Sequence, residues 1–354
     1  MKTIKIQSWY DNSVLYSCEV EDNDPMPVRT AVDRARLDSA RLDGARLVGA
    51  RLDGASLVGA RLVGARLDSA NLDGARLDSS NLDGARLVGV RLDRANLDGA
   101  SLVGTRLDRA SLVGARLDGA RLVGANLDDA NLVGANLVGA NLDGANLDSA
   151  SLVGVNLDGA SLVDARLDRA NLVGARLDRA RLDRANLVGA RLDGARLVGA
   201  SLVDARLDRA NLVGANLVGA RLDRASLVGA RLDRANLVGA SLDEADLSHI
   251  RDDLYAVLKA ASAEARGLLE ALRAGRIDGS AYEGECACLV GTLASVRGCK
   301  YTDLGVTPDM NRPAECWFLA IRRGDKPESS PIAKITEGWI EEWLKENACL
   351  MEVT

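Results

Sequence analysis

Residues Arg106–Ala125 read RLDRASLVGARLDGARLVGA, and a Leu recurs in them at every fifth position. The same spacing runs outward in both directions without a miss from Leu37 to Leu247, placing 43 leucines in one register. Two residues before each Leu sits a small residue, which after Ala35 is Ala everywhere except at Ser80, Val90, Thr105 and Val155. Arg, Asn or Ser precedes each Leu until Asp246 ends the series. Asp or Val follows each Leu up to Leu242, and the next residue is mostly Gly, Arg or Ser.

A period of five fits neither an amphipathic helix, at 3.6, nor a flat strand, at 2. A chain that turns a corner every five residues does satisfy it. If four pentapeptides complete one square turn, each Leu points inward from the middle of a side and each Ala packs beside it near a corner. The other three residues then face water, and consecutive turns stack through backbone hydrogen bonds. A larger side chain in place of Ala would overfill so narrow a tube, which makes Val and Thr the upper limit. Just under eleven turns counted from Ala35, at a strand spacing of about 4.8 Å, predict a rod on the order of 50 Å long. The segment Thr30–Arg34 fits either one more degenerate unit or a short helix leading in. A solvated, disordered tract gives no reason for an unbroken register. The composition agrees with a narrow core, since only 3% of the 354 residues are aromatic while 35 are Gly. Recent duplication and consensus design would both produce so small an alphabet.

The pattern resembles the pentapeptide-repeat family, usually described as A-(D/N)-L-x-x, and the likeness covers about 60% of the chain. The resemblance implies a mainly β fold, a right-handed quadrilateral β-helix. Two departures stand out: Arg is unusually frequent before Leu, and the central residue is never Phe. Some members of that family are DNA mimics that bind type II topoisomerases, so the resemblance also raises DNA gyrase or topoisomerase IV as a partner.

The flanks read as covers for the raw ends of a solenoid. Lys2–Ser8 and Val14–Glu21 alternate around Tyr10-Asp11-Asn12-Ser13 and predict a β-hairpin. Beyond the repeats, helices are predicted around 250–260, 263–274, 285–297, 313–322 and 332–346, with Trp317, Trp339 and Trp343 in their core. The expected organisation is a cap and lead-in over 1–34, a repeat solenoid over 35–249 and an α-helical domain over 250–354. The stretch Gly284–Thr292 is similar to one in the C-terminal regions of some phage and bacterial members of the family.

Catalytic chemistry finds no support in this sequence. The cysteines (Cys18, Cys286, Cys288, Cys299, Cys316, Cys349) all lie outside the repeats. Cys286 and Cys288 are spaced C-x-C, with no second close pair to complete a zinc site, so buried reduced thiols are expected. His249, the only histidine, stands at the junction of solenoid and helical domain, where packing is the simpler role. No phosphate-binding loop, dinucleotide fingerprint or nucleophile elbow occurs, and no cofactor is expected. The N-terminus lacks the apolar core of a signal peptide and no run of 18 apolar residues spans a membrane, so a cytoplasmic protein is expected.

The sequence therefore points to a non-enzymatic structural or protein-interaction scaffold. Duplex mimicry demands dense, uniform negative charge, whereas residues 35–249 hold 28 basic and 28 acidic groups. Charge is instead banded along the chain. Residues 122–165 have no Arg or Lys but contain Asp128, Asp129, Asp143, Asp148, Asp158 and Asp164. Residues 166–234 carry a net +6, with Arg169, Arg179, Arg184, Arg209, Arg224 and Arg234 at outward positions. These twelve are the candidate interaction surface, set against the simpler reading that Arg and Asp pair across neighbouring turns. The partner is an unidentified protein; self-association through the helical domain or the rod ends is the alternative. Nucleic acid is disfavoured by the lack of stacking aromatics.

Overall fold

The computed structural model describes residues 1–37, 40–279, 289–300, 303–306, 309 and 312–348. Strands β1 (Lys2–Gln7) and β2 (Val14–Val20) pair antiparallel, with Lys2 opposite Val20. Asp11 shapes the connecting turn, because its carboxylate accepts from the Ser13 N–H and hydroxyl while Asn12 takes φ 61°. Helix α1 (Pro27–Leu37) follows, so Thr30–Arg34 form part of a helix and not of a repeat.

The five-residue register begins inside that helix, and coil pairing starts only at Leu42, whose N–H donates to the Arg61 carbonyl. From there, the residue before each Leu bridges its equivalent twenty positions on, in parallel, from Arg46↔Arg66 to Ser226↔Asp246. Twenty residues at five per repeat make four repeats, and so four sides, to each coil. The pairing is repetitive: Leu47 N–H donates to the Arg66 carbonyl, Arg66 N–H to Ala45 and Gly49 N–H to Asp68. Each Leu carbonyl also accepts from the N–H three residues on, as in Ala50 to Leu47. The third residue of that turn has positive φ, the type II pattern that favours Gly. Between Gly44 and Glu244 these corners hold 26 Gly and 15 other residues, including Arg109 (φ 57°) and Arg234 (φ 56°).

The interior is a stack of Leu and Ala. From Leu42 to Leu247, no coil leucine is more than 7% exposed. Val90 and Val155 are fully enclosed at Ala positions. Thr105 fits because its hydroxyl donates to the Leu102 carbonyl, whereas the buried Ser80 hydroxyl has no partner among the described residues. One expectation needs correction. The residue after Leu does not simply face water: Asp148 and Asp233 are buried there.

Both raw edges are covered. At the N-terminal end, Arg46 N–H donates to Gln7 and Trp9 N–H to Gly44, while Asp33 on α1 accepts from the Ser56 N–H at 2.7 Å. At the other end, α2 (Ser248–Ala260), a single 3₁₀ turn (Ser262–Glu264), α3 (Ala265–Arg273), α4 (Leu289–Arg297), α5 (Pro313–Phe318) and α6 (Pro331–Glu346) form the helical cap. Trp317 is buried and its indole donates to the buried Thr336 hydroxyl at 2.8 Å. Trp343 is buried and Trp339 packs partly buried beside them. The expected helical stretch at 285–288 lies outside the described residues, as does most of Gly284–Thr292. Among the described residues, no helix is long and apolar enough to cross a membrane.

These features set three stability changes, each read from thermal or denaturant unfolding. Leu137→Ala costs about 2–5 kcal/mol through the cavity it leaves. Ser80→Ala gains about 1 kcal/mol by removing an unpaired buried hydroxyl. Arg109→Gly gains about 0.5–1 kcal/mol, since the relief of left-handed strain exceeds the added chain entropy.

Candidate interaction surface

Each repeat offers three outward positions: the residue before Leu, the residue after it, and the corner. Local hydrogen bonding dictates what the first two do. The turn leaves the N–H of the residue after Leu without a backbone partner. In many repeats a side chain takes it, in one of two ways. An Asp twenty residues earlier accepts it, as Asp83 does from Val103 N–H (3.0 Å) and Asp148 from Asp168 N–H (3.0 Å). Alternatively, an Asn two residues earlier accepts it, as Asn146 does from Asp148 N–H (3.1 Å).

Many of the side Asp residues also receive a side chain from the next coil, eighteen positions on. Ser101 donates to Asp83, Asn126 to Asp108, Arg166 to Asp148 and Arg176 to Asp158. In other repeats the Arg before Leu reaches the Asp of its own repeat instead, as in Arg106–Asp108 (3.3 Å) and Arg221–Asp223 (3.2 Å). The carboxylates on the sides are therefore stitches between coils. Burial, and then the charge of Asp148 one coil below, push Asp168 above the usual carboxylate range. Burial, and then Asp98, do the same to Asp118.

Grouping residues by steps of twenty places the twelve candidate residues around the whole rod. One side carries Asp143 with Asp164, Arg184 and Arg224 at its corner. The next carries Asp128, Asp129 and Asp148, with Arg169 and Arg209 at its corner. Arg234 lies on the third side, and Asp158 and Arg179 on the fourth. The structure thus brings Asp128, Asp129 and Asp148 together, but it does not gather the six acids onto one face. Three of them are engaged by the basic segment that follows: Asp148 by Arg166, Asp158 by Arg176 and Asp164 by Arg184.

At the first corner, Asp164, Arg184, Asp204, Arg224 and Glu244 succeed one another coil by coil with alternating sign. Arg184 grips Asp164 through two nitrogens at 2.7 Å, and Arg224 grips Asp204 at 2.7 and 2.8 Å. These donated bonds hold Asp164 and Asp204 below the usual carboxylate range. Arg109, Arg169 and Arg209, on the next corner, are exposed and make no ion pair among the described residues.

One surface escaped the sequence reading. On the third side, four successive rungs carry no charge: Ser111 with Val113, Asn131 with Val133, Ser151 with Val153 and Asn171 with Val173, all with Gly at the corner. Charged rungs close it at both ends, Arg91, Asp93 and Arg94 below and Arg191 and Asp193 above. The signal was present in the sequence, and sorting by twenty exposes it.

The described cysteines and His249 are at least partly buried. Burial, and then Asp233, push the Cys316 thiol up to about 12, and Cys299 is partly buried. Cys286, Cys288 and Cys349 lie outside the described residues. His249 packs against the Ala230 backbone, and burial lowers its pKa. Among the described residues, no three His, Cys, Asp or Glu converge on a metal position. An open recess of about 370 Å³ lies beside α1, lined by Pro25–Val28 and Arg46–Arg51.

A family model described as pentapeptide repeats matches this chain eight times, over residues 33–68, 70–109, 91–129, 110–149, 125–162, 160–199, 185–223 and 215–251. No curated protein matches. Among solved structures, HetL, which is involved in heterocyst differentiation regulation in Nostoc sp. strain PCC 7120, is 36% identical. That alignment covers 61% of this chain and 96% of HetL with a TM-score of 0.33. QnrB1, a plasmid-mediated fluoroquinolone resistance protein, is 19% identical over 59% of this chain and 92% of its own, also at 0.33. Rfr23 from Cyanothece 51142 is 33% identical over 32% and 60%, at 0.13. Scores this low transfer no coil geometry.

The stitching makes two neighbouring aspartates unequal. Asp148→Ala strips an acceptor from the Asp168 N–H and from Arg166, and lowers stability by about 1–3 kcal/mol. Asp128→Ala changes it by no more than about 0.5 kcal/mol, because Asn146 already serves the N–H above. Urea unfolding of the two variants checks the contrast.

Proposed function

The chain belongs to the pentapeptide-repeat family, and from that premise we propose that it is a non-enzymatic, cytoplasmic interaction scaffold. In this reading it is a right-handed, four-sided rod of about eleven coils between two caps. The hairpin and α1 close one end and the helices from Ser248 on close the other, and the coils from Leu42 to Leu247 supply the binding surface. The observation that carries the proposal is the division of labour within each repeat. The Leu and Ala positions barely vary along the rod, while the outward positions change chemistry from side to side and from coil to coil. A rigid core with variable sides suits recognition of a protein surface. The banded charges at Asp128, Asp129, Arg169 and Arg209 and the neutral rungs at Val133 and Val153 are the contact regions we assign. Mimicry of duplex DNA is less well supported, because the side carboxylates are occupied by Arg, Asn and Ser from the next coil.

Affinity capture from a bacterial lysate tests the proposal, using the intact chain beside Arg169→Glu/Arg209→Glu and Val133→Lys/Val153→Lys. The expected result is one partner set retained by the wild type and lost from one of the double variants, with unchanged melting temperatures. Equal capture by all three would contradict the proposed surface. Inhibition of gyrase supercoiling at micromolar concentration would favour the topoisomerase reading.

A further inference from the structure

Glu315 is fully buried, and among the described residues neither of its carboxyl oxygens has a hydrogen-bond partner. An isolated carboxylate in such a place is strongly disfavoured against the neutral acid. Its position gives that preference a structural consequence. Glu315 lies on α5, the short helix that packs against both α2 and α4. Its neighbour Cys316 meets Asp233 on the last coil. Helix α5 thus touches both the last coil and two helices of the cap.

The surrounding charges are few. From α2, Asp253 holds the start of α5 by accepting from the Ala314 N–H at 2.9 Å and pairs with Arg312 at 3.6 Å. From α4, the Val290 N–H faces the carboxyl without closing a hydrogen bond. Asp253 and Asp309 oppose ionisation of Glu315, and Arg312 favours it. On the rod side stand Asp233 and Arg231, paired at 3.3 Å. His249 of α2 is partly buried, and burial lowers its pKa below the usual histidine value.

At this end lies the last raw edge of the solenoid. Coil pairing ends with Leu227 N–H to the Asp246 carbonyl, and the N–H groups of Leu232, Leu237 and Leu242 have no coil above them. The three leucines are nonetheless 2%, 2% and 7% exposed.

We propose that Glu315 is a protonation-controlled latch. While neutral it allows α5 to seat the helical cap on the rod end, and when ionised it loosens α5 and uncovers the final coil. The direction follows from linkage. Burial raises the pKa of Glu315 from 4.5 to about 7. The folded state then holds the proton more tightly than the opened state, so closure is firmest at low pH and weakens as pH rises towards 7, after which it levels off. Between pH 6.0 and 8.5 these two values raise the opening equilibrium about tenfold.

Hydrogen exchange with mass analysis, corrected for intrinsic rates, tests this on the full chain. In the wild type, α5 and residues 228–247 are expected to exchange about tenfold faster at pH 8.5 than at pH 6.0, while residues 100–200 do not change. In Glu315→Gln, the exchange is expected to be the same at both pH values. A wild type without pH dependence, or a variant that keeps it, would overturn the proposal. Carbon NMR of the Glu315 carboxyl in the wild type provides a readout that does not depend on the variant folding. A midpoint near 7 supports the latch, and a midpoint in the ordinary carboxylate range sinks it.

Discussion

The closure of each corner, an Ala N–H bonded to the carbonyl of the Leu three residues before it, is the constraint from which the rest of this structure follows. It turns the chain every five residues, so that four turns bring residue i under residue i+20. Once that return is fixed, Leu must stack on Leu and Ala on Ala. The interior admits little else, because a tube filled by one side chain per side has no slack. The corner also requires a left-handed residue. Gly meets that requirement freely, while the fifteen other residues found there hold it against strain. Their abundance in the C-terminal half of the rod places Arg, Asp and Glu at the corners, where charge is most exposed.

The same closure explains why Asp, Asn, Ser and Arg occupy the sides. A corner leaves one N–H unserved, and the side chain nearest in space belongs either to the coil below or to the residue two positions back. Asp fills the first role and Asn the second. Arg and Ser then complete the ring by donating to the Asp of the previous coil. Surface charge in this rod is thus largely consumed in holding coils together. The groups left for a partner include the corner arginines that make no ion pair among the described residues, Asp128 and Asp129, and the neutral Val, Ser and Asn rungs.

Much of this was legible in the sequence because the repeat is local. The Leu register, the hairpin around Asn12 and most of the C-terminal helices each depend on residues close in the chain. The start of the coils was not legible, since Ala35 keeps the five-residue register while lying in α1. A helix opening on Pro27 overrides a single repeat unit that has only one coil to pair with. The neutral rungs of the third side were missed for another reason. Charges tallied along the chain suggested bands, but the rungs that stack in a solenoid are twenty residues apart, and that spacing lines up the uncharged Ser111, Asn131, Ser151 and Asn171. Glu315 was invisible altogether, because its burial arises from α2, α4 and α5 meeting across sixty residues of sequence.

The twenty-residue return is the central claim, and a distance across several coils tests it most directly. Spin labels at Asp93 and Asp193 sit on the same side, five coils apart, and should show one narrow separation of about 24 Å at a coil rise near 4.8 Å. A broad distribution, or a distance well beyond that value, would contradict the coil register and the account built on it.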